Sequence, residues 1–389
     1  MKTWRQMLAL LLSLALVVSL CACGDPAEVS PPNESASVSP DVSQVPEPTA
    51  AVEVDLSQDI IAFSAGLSGD DVLLTVNGED ITADLFLYLL FQNCYYLEVE
   101  YYYSYGFFLD IAAAADMLLE DTVFMLQYYT VCRQKAAELG CLLTDEQQAA
   151  LEARKTGENA ETYARNKSAF GLTDEDMDFI PVNNYFYENL LYAITHEPSE
   201  QELREYLDGR GVFYVKHILL KTTDGQNHPL SEDEIAEKRT LADDLLGQLQ
   251  TAEDMPSKFD ELMKTYSEDP GVISNPDGYV FDSSDSLVGG FREAALELEE
   301  GQLSGIVETD YGYHIMLRLA LTDELEESYR TYFRQEALED QMTQWMEPIE
   351  TVRADALAGI DVADFYDRYY AYYSTALKQH EAAGGDAAD

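Results

Sequence analysis

Basic side chains are scarce in this sequence. Its 389 residues include 23 Lys and Arg against 73 Asp and Glu, so the formal net charge is −50. Nucleic-acid binding needs a basic footprint, and electrostatic docking on anionic lipid needs clustered Lys and Arg. The charge therefore argues against both. Hydrophobic residues still make up 47% of the chain, which is enough to bury a core, and the length favours two or three domains.

Cysteine and histidine are also scarce, with five of each. No Cys-x-x-Cys motif and no His/Cys cluster occurs, so the sequence predicts no metal site and no redox site. Cys94, Cys132 and Cys141 are the cysteines that follow the N-terminal segment. Outside the cytoplasm an odd number cannot pair completely within the chain, so at least one should be a free thiol.

The N-terminal apolar run is too short to span a membrane. It covers residues 7–20 behind two basic residues, whereas a spanning helix needs about 20 apolar residues. Basic, apolar and small residues in this order are typical of an export signal. The segment Leu20-Cys21-Ala22-Cys23 resembles the bacterial lipobox, whose last Cys is acylated. This resemblance predicts a signal peptide over residues 1–22 and a lipid anchor on Cys23 at the extracytoplasmic face of the cell membrane. The alternative is a plain secretory signal with an incidental cysteine.

Residues 23–57 are rich in Pro, Ser and Glu and have no hydrophobic periodicity. Such a segment cannot form a core, so we expect a disordered acidic tether. Ordered structure is predicted from about Val72, with a strand at 72–76. Residues 58–210 as a whole are predicted to form a mainly helical, chaperone-like region. It carries three capping motifs that mark helix starts, at Thr144, Thr173 and Ser199.

Six aromatic residues lie close together within the helical region. They are Tyr101, Tyr102, Tyr103, Tyr105, Phe107 and Phe108. One interpretation is a helical core with amphipathic tyrosines at its edge. The other is an apolar aromatic groove for unfolded segments, because Tyr gives a large contact area at little entropy cost.

The pattern changes at residue 211. Over residues 211–321 the order is strand, helices, strand, helix and strands, which predicts a small α+β domain. Residues 322–389 are predicted to be helical again, to pack on the N-terminal lobe and to end in a disordered tail. The predicted fold class is therefore α+β, with a small antiparallel sheet and its helices inserted between mainly helical segments.

Two of the five histidines, His217 and His314, lie in apolar strands of the inserted domain. A single histidine in such a strand is typically a hydrogen-bonded core residue, but two that flank one small domain favour mutual contact. Around them the sequence resembles the parvulin peptidyl-prolyl isomerases. The matching segments are Val215-Lys216-His217-Ile218-Leu219, Lys258-Phe259-Asp260-Glu261-Leu262, Tyr266-Ser267-Glu268-Asp269, Phe291-Arg292-Glu293-Ala294-Ala295-Leu296, Leu298-Glu299-Glu300-Gly301 and Val307-Glu308-Thr309-Asp310-Tyr311-Gly312-Tyr313-His314-Ile315.

The resemblance implies a role for each of seven residues. His217 and His314 would be the paired histidines beneath the prolyl bond, Thr309 their hydroxyl partner, and Asp269 the residue at the family's Cys or Asp position. The apolar proline pocket would be lined by Leu287 and Phe291, with Tyr311 at its rim.

The sequence departs from the family in the loop before the pocket. There the usual Gly-Gly-Asp-Leu-Gly is replaced by Asn275-Pro276-Asp277-Gly278-Tyr279, and one extra residue lies between Phe281 and Phe291. The assignment of Leu287, where Met is common, depends on how this loop is aligned.

The flanking helical segments look like the chaperone lobes of PrsA/SurA-type foldases. The sequence therefore predicts a membrane-anchored, cofactor-independent isomerase of Xaa-Pro bonds, whose partners are unfolded or partly folded exported polypeptides. One alternative is a chaperone that uses the parvulin fold only for binding. Another is a transporter's small-molecule-binding lipoprotein, but the alternating βα units of such a protein are not evident. The oligomeric state is left open.

Overall fold

The structure, a computed structural model, describes residues 52–157, 160–226 and 228–385. The predicted signal peptide, Cys23, most of the tether and residues 386–389 lie outside this part of the chain. The described residues form two compact units, which we call the helical unit (52–196 with 335–385) and the sheet unit (197–334). The predicted α+β class is confirmed.

The helical unit is built mainly from long helices. It contains α1 (Ile60–Ala65), β1 (Val72–Val76), β2 (Glu79–Thr82), α2 (Ala83–Tyr105), α3 (Ile111–Leu139), α4 (Asp145–Thr156), α5 (Ala160–Phe170), α6 (Asp174–Ile194), β7 (Thr351–Arg353), α12 (Asp355–Ala358) and α13 (Val362–Gly385). The expectation that order starts near Val72 is wrong, because α1 precedes it. Asp59 caps α1, and its apolar residues Ile60 and Ile61 are buried in the core of the unit.

A three-stranded antiparallel sheet, in the order β2-β1-β7, accompanies these helices. Only β1 was predicted. Strands β1 and β2 form a hairpin at Asn77-Gly78, where both residues have positive φ, as a tight two-residue turn requires. Strand β7 pairs Leu74 with Arg353 from far along the sequence.

Aromatic side chains fill much of the core of the helical unit. Phe91 of α2 stacks on Tyr369 of α13 with ring centroids 4.7 Å apart, and Phe170 of α5 stacks on Tyr373 at 4.1 Å. Cys94 and Cys132 are buried free thiols, which confirms the prediction of unpaired cysteine. No helix among the described residues is both long and apolar enough to cross a membrane.

The sheet unit alternates helices and short strands. It contains α7 (Glu200–Arg210), β3 (Phe213–Lys221), α8 (Glu232–Thr251), α9 (Met255–Tyr266), β4 (Tyr279–Phe281), α10 (Phe291–Glu297), β5 (Val307–Thr309) and β6 (Gly312–Leu319), and it includes the start of α11 (Asp323–Met346). The strands form one antiparallel sheet in the order β4-β3-β6-β5.

The capping boxes predicted at Thr144, Thr173 and Ser199 are all present.

Both faces of this sheet are covered by apolar packing. Ile218 and Ile315 contribute to one core with α8 and α9. Val215 and Met316 contribute to the other, with Phe291 of α10. Since alternate residues of a strand share a face, His217 lies on the same face as Val215, towards α10. The sheet thereby directs histidine side chains to the side that carries Phe291.

Candidate functional site

The two histidines come from adjacent central strands. His217 lies in β3 and His314 in β6, where the antiparallel register pairs His217 with Met316 and Leu219 with His314. Thr309 ends β5, the neighbour of β6. Asp269 follows α9 and caps a short 3₁₀ turn, Pro270–Ile273, through its carboxylate and the amide of Gly271. Four predicted side chains are thus delivered by three strands and one capped turn.

These four side chains form one continuous chain of contacts. The Nδ1 atoms of His217 and His314 are 3.2 Å apart, and the imidazole rings are nearly parallel, at 10°. His217 Nε2 lies 3.0 Å from Asp269 Oδ2. At the other end, His314 Nε2 lies 2.8 Å from Thr309 Oγ1. The structure therefore brings together all four residues to which the sequence assigned the chemistry.

Electrostatics keep Asp269 in its carboxylate form. Burial opposes ionisation, but the hydrogen bonds from His217 and Tyr279 outweigh it and hold the pKa of Asp269 well below its usual range. A carboxylate can only accept hydrogen bonds. His217 must then donate from Nε2, so Asp269 selects which ring nitrogen of His217 carries the proton.

His314 is held in its neutral form. Its side chain is only 3% exposed. Burial first, and then repulsion from the His217 ring when that ring carries a second proton, lower its pKa to about 3, although Asp269 acts in the opposite direction. A neutral imidazole has one donor and one acceptor nitrogen.

The partners of the two imidazoles specify their tautomers. When Nε2 holds the single ring proton of His217, its Nδ1 accepts from Nδ1–H of His314. His314 Nε2 then accepts from the Thr309 hydroxyl, whose oxygen in turn accepts from the amide of Tyr311 at 3.2 Å. Every hydrogen bond in the chain therefore points towards Asp269, which gives the site one consistent proton arrangement.

Apolar side chains lie directly beside the histidines. The Phe291 ring contacts both imidazoles edge to face, with centroids 5.2 Å from each. Phe291 is buried, and Leu287 packs in the same cluster with Phe281. Tyr311 lies on the turn between β5 and β6 and is 47% exposed. Phe291 thus forms an apolar wall beside the dyad and Leu287 packs in the same cluster, while Tyr311 lies at the surface.

One residue of the site was missed by sequence reasoning. Tyr279, the first residue of β4, donates a 2.5 Å hydrogen bond from its hydroxyl to Asp269 Oδ2, the oxygen that His217 Nε2 also contacts. Its ring meets the His217 ring edge to face, with centroids 5.6 Å apart. The only sequence signal was its position in the loop that departs from the family pattern.

The site is not built to hold a metal. Within the described ranges, no group of three or more His, Cys, Asp or Glu side chains is arranged to ligate an ion. The chemistry available here is hydrogen bonding, a fixed negative charge on Asp269 and an apolar wall.

A family model matches this part of the chain, and individual relatives match segments of the chain. Residues 217–320 match the rotamase family described as the PPIC-type PPIase domain, so the chain contains a domain of this parvulin type. The foldase protein PrsA of Geobacillus kaustophilus is 36% identical over 119 residues, which are 30% of this chain and 35% of that protein. The chaperone SurA of Pseudomonas fluorescens is 30% identical over 166 residues, 41% of this chain and 35% of that protein.

Among solved structures, a PrsA peptidylprolyl isomerase from Bacillus cereus aligns over 78% of this chain and 99% of its own, with 22% identity and a TM-score of 0.29. The chain spans about a third of the length of the first two curated relatives. The family model identifies the rotamase domain, and the activity of the whole chain has to be argued from the site.

Proposed function

We propose that the rotamase domain catalyses cis–trans isomerisation of Xaa-Pro peptide bonds. The observation that carries this proposal is the continuous hydrogen-bonded chain Thr309–His314–His217–Asp269 beside the buried ring of Phe291. It combines an apolar wall for the proline ring with a polar floor of fixed geometry. Such a site suits a reaction that rotates a bond and transfers no group.

The reaction itself explains why such a site suffices. Rotation about the peptide bond meets a barrier of about 18–20 kcal/mol, which arises from amide resonance. No covalent bond is made or broken, so neither a nucleophile nor a cofactor is required. A site that binds the twisted amide more tightly than either planar form lowers the barrier.

Each part of the site contributes to binding the twisted amide. The wall formed by Phe291 and Leu287 removes water from the proline ring and its amide, and water favours the polar resonance form that gives the bond its double-bond character. The dyad is held rigidly, since Asp269 and Thr309 fix its two ends. Asp269 acts in this account by orienting His217.

An isomerisation assay on proline peptides tests the proposal. We expect the full chain to accelerate cis–trans exchange across a panel of Xaa-Pro peptides in proportion to its concentration. The segment 270–290, which leads into Phe291, contains no Lys or Arg, so phosphorylated residues before proline should confer no advantage. A rate equal to that of peptide alone, across the whole panel, would contradict the proposed function.

We infer that this domain works at the outer face of the cell membrane on exported polypeptides. The supporting observations are the lipobox-like segment ending at Cys23 and the names foldase and chaperone carried by the relatives. A lipid on Cys23 would attach the chain without basic residues. The acidic tether would be repelled by anionic lipid and so hold the folded units outward.

A chaperone function of the helical unit is the second candidate, and an exposed aromatic cluster favours it. Tyr103, Tyr105 and Phe107, at the end of α2 and just after it, are 53%, 63% and 57% exposed. Tyr101 joins the cluster, with its ring centroid 4.6 Å from that of Tyr105 and 5.3 Å from that of Phe107. Exposed apolar groups that contact one another are typical of interaction sites.

The charge around this cluster suggests the kind of client. No Lys, Arg or His occurs between Arg5 and Arg133, so acidic side chains alone supply the charge of this segment. Unfolded segments that combine apolar and basic residues are therefore the clients we expect it to favour, with binding that weakens at high salt.

Two sets of variants separate the candidates. Replacing Tyr103, Tyr105 and Phe107 by Ser should reduce suppression of client aggregation and leave isomerisation of short peptides intact. Leu142→Ser, at another exposed apolar residue of the helical unit, is the matched control and should change neither. Unchanged aggregation suppression in the triple variant would contradict a client-binding role for the cluster.

A further inference from the structure

Two groups share one oxygen of Asp269. The Tyr279 hydroxyl donates to Oδ2 at 2.5 Å, and His217 Nε2 contacts the same atom at 3.0 Å. The other carboxylate oxygen, Oδ1, accepts from the amide of Gly271 at 3.1 Å. Asp269 is therefore fixed by three donors, and Tyr279 is the only side chain among them besides His217.

The surrounding backbone leaves the Tyr279 hydroxyl little freedom. A Cβ atom on Gly271 would lie 2.3 Å from Tyr279 Oη, so the 3₁₀ turn after Asp269 packs directly against this hydroxyl. Gly278, with φ +114°, brings the chain into β4, and a Cβ there would lie 2.8 Å from the carbonyl oxygen of Val215. The two glycines thus allow the close approach that delivers the hydroxyl to Asp269.

The other charged and titratable groups around Asp269 are engaged elsewhere or belong to the dyad. His217 faces it from β3, and His314 of β6 interacts with it electrostatically. The adjacent carboxylate of Glu268 is paired with Lys238 of α8 at 2.6 Å. Among the described residues, the Tyr279 hydroxyl is therefore the side-chain donor that hydrogen-bonds the Asp269 carboxylate from outside the dyad, alongside the backbone amide of Gly271.

We propose that Tyr279 is a positioning residue, which keeps Asp269 ionised and aimed at His217 and thereby sets the proton arrangement of the histidine pair. A hydrogen bond from a neutral hydroxyl to a carboxylate is stronger than one between neutral groups and stabilises the charged form. The burial of Asp269 works against that form. The hydrogen bond from Tyr279 offsets part of this burial cost. Tyr279 lies in the loop whose sequence departs from the usual family pattern.

Removal of the Tyr279 hydroxyl should raise the pKa of Asp269. In Tyr279→Phe the ring remains, but Asp269 loses one donor, so its carboxylate protonates at a higher pH. Once Asp269 is protonated, its selection of the Nε2–H form of His217 is lost. We expect the acid limb of the pH profile of kcat/KM to move upward by about one pH unit, with KM at neutral pH little changed.

Tyr214→Phe provides the matched control. The Tyr214 hydroxyl donates to the carbonyl oxygen of Asp277 at 2.7 Å, in the same loop but away from Asp269. Its loss costs the loop one hydrogen bond and should leave the acid limb in place. An equal shift of the acid limb in Tyr279→Phe and Tyr214→Phe would assign the effect to loop stability and would contradict the proposal.

The kinetic readout rests on the proposed isomerase function, so a second readout is independent of turnover. In the full chain labelled with [15N]histidine, we expect the Nε2–H signal of His217 to change at a higher pH in Tyr279→Phe than in the wild type and in Tyr214→Phe. An unshifted His217 signal would overturn the role of Tyr279. If the His217 signal is shifted in Tyr279→Phe but the wild type shows no turnover, the role of Tyr279 is supported and the proposed function is contradicted.

Discussion

The Nδ1 atoms of His217 and His314 lie 3.2 Å apart, although 97 residues separate the two histidines in the sequence. The contact is possible because β3 and β6 are hydrogen-bonded neighbours whose register places Leu219 opposite His314. Two imidazoles at this distance form a stable pair only when one of the two nitrogens carries a proton. Asp269, which accepts from His217 Nε2, sets which one does, and the Thr309 hydroxyl then donates to His314 Nε2.

Loss of the Thr309 hydroxyl should impair the site from the His314 side. Thr309→Val preserves the shape of the side chain but leaves His314 Nε2 without its 2.8 Å partner. An unsatisfied buried acceptor costs about 1–3 kcal/mol of folding stability. His314 also loses the partner that fixes its orientation, so we expect kcat/KM for a proline peptide to fall by about tenfold. Thr309→Ser, which keeps the hydroxyl, should retain most of the activity. Full activity in the Val variant would show that this hydrogen bond has no catalytic effect.

Acid should destabilise the sheet unit through His314. Its folded pKa of about 3 lies below the ordinary value of 6.5, so between these values the unfolded chain binds more protons than the folded one. Stability is then lost as the pH falls from about 6.5, at up to about 1.4 kcal/mol per pH unit. The pKa of Asp269 is also lowered in the folded state, so Asp269 adds to the loss of folding stability only at pH values near and below 3.8.

Urea titrations at several pH values measure this dependence. Because other groups also titrate, the informative quantity is the difference between the wild type and His314→Gln, which cannot be protonated. We expect the variant to show a shallower fall in the free energy of unfolding between about pH 6.5 and 4. Parallel curves would indicate that His314 is not buried in its neutral form.

Phe291 should contribute both to the core and to substrate binding. It is 4% exposed and contacts both imidazoles. Phe291→Ala should lower the free energy of unfolding by about 3–5 kcal/mol, as measured in urea. Phe291→Leu keeps most of the apolar volume, should cost less, and should raise KM for proline peptides because the flat wall is lost. An unchanged KM in Phe291→Leu would argue against a proline pocket at this position.

The proposed lipid anchor predicts a specific fractionation result. The mature chain that carries Cys23→Ser and lacks residues 1–22 should leave the membrane even at low salt, because it has no cluster of Lys and Arg to hold it there. Cys21→Ser is the matched control, two residues away, and should stay membrane-bound. Equal membrane association of both variants would contradict acylation at Cys23.

Much of the sheet unit was predictable because its signals are local. The apolar strands around His217 and His314 and the capping motif at Ser199 each depend on a few neighbouring residues, and the structure has these elements where the sequence predicted them. The resemblance to parvulins then assigned roles to residues from separate elements. Spacing alone did not provide those roles.

The elements that were missed depend on contacts between distant parts of the chain. Strand β7 has three residues and exists because Arg353 pairs with Leu74, a pairing that no local pattern reveals. Tyr279 lies ten residues after Asp269, and their contact depends on the 3₁₀ turn Pro270–Ile273 and on the path through Gly278. Helix α1 was missed because its six residues are too few for a clear helical period.

The central claim is that the histidine pair is the catalytic centre, and its most direct test is the isomerisation rate of a chain carrying His217→Ala together with His314→Ala. The variant is compared with the wild type on the same Xaa-Pro peptides, with circular dichroism to verify folding. The account predicts a folded variant whose rate equals that of peptide alone. A folded variant with the activity of the wild type would contradict it.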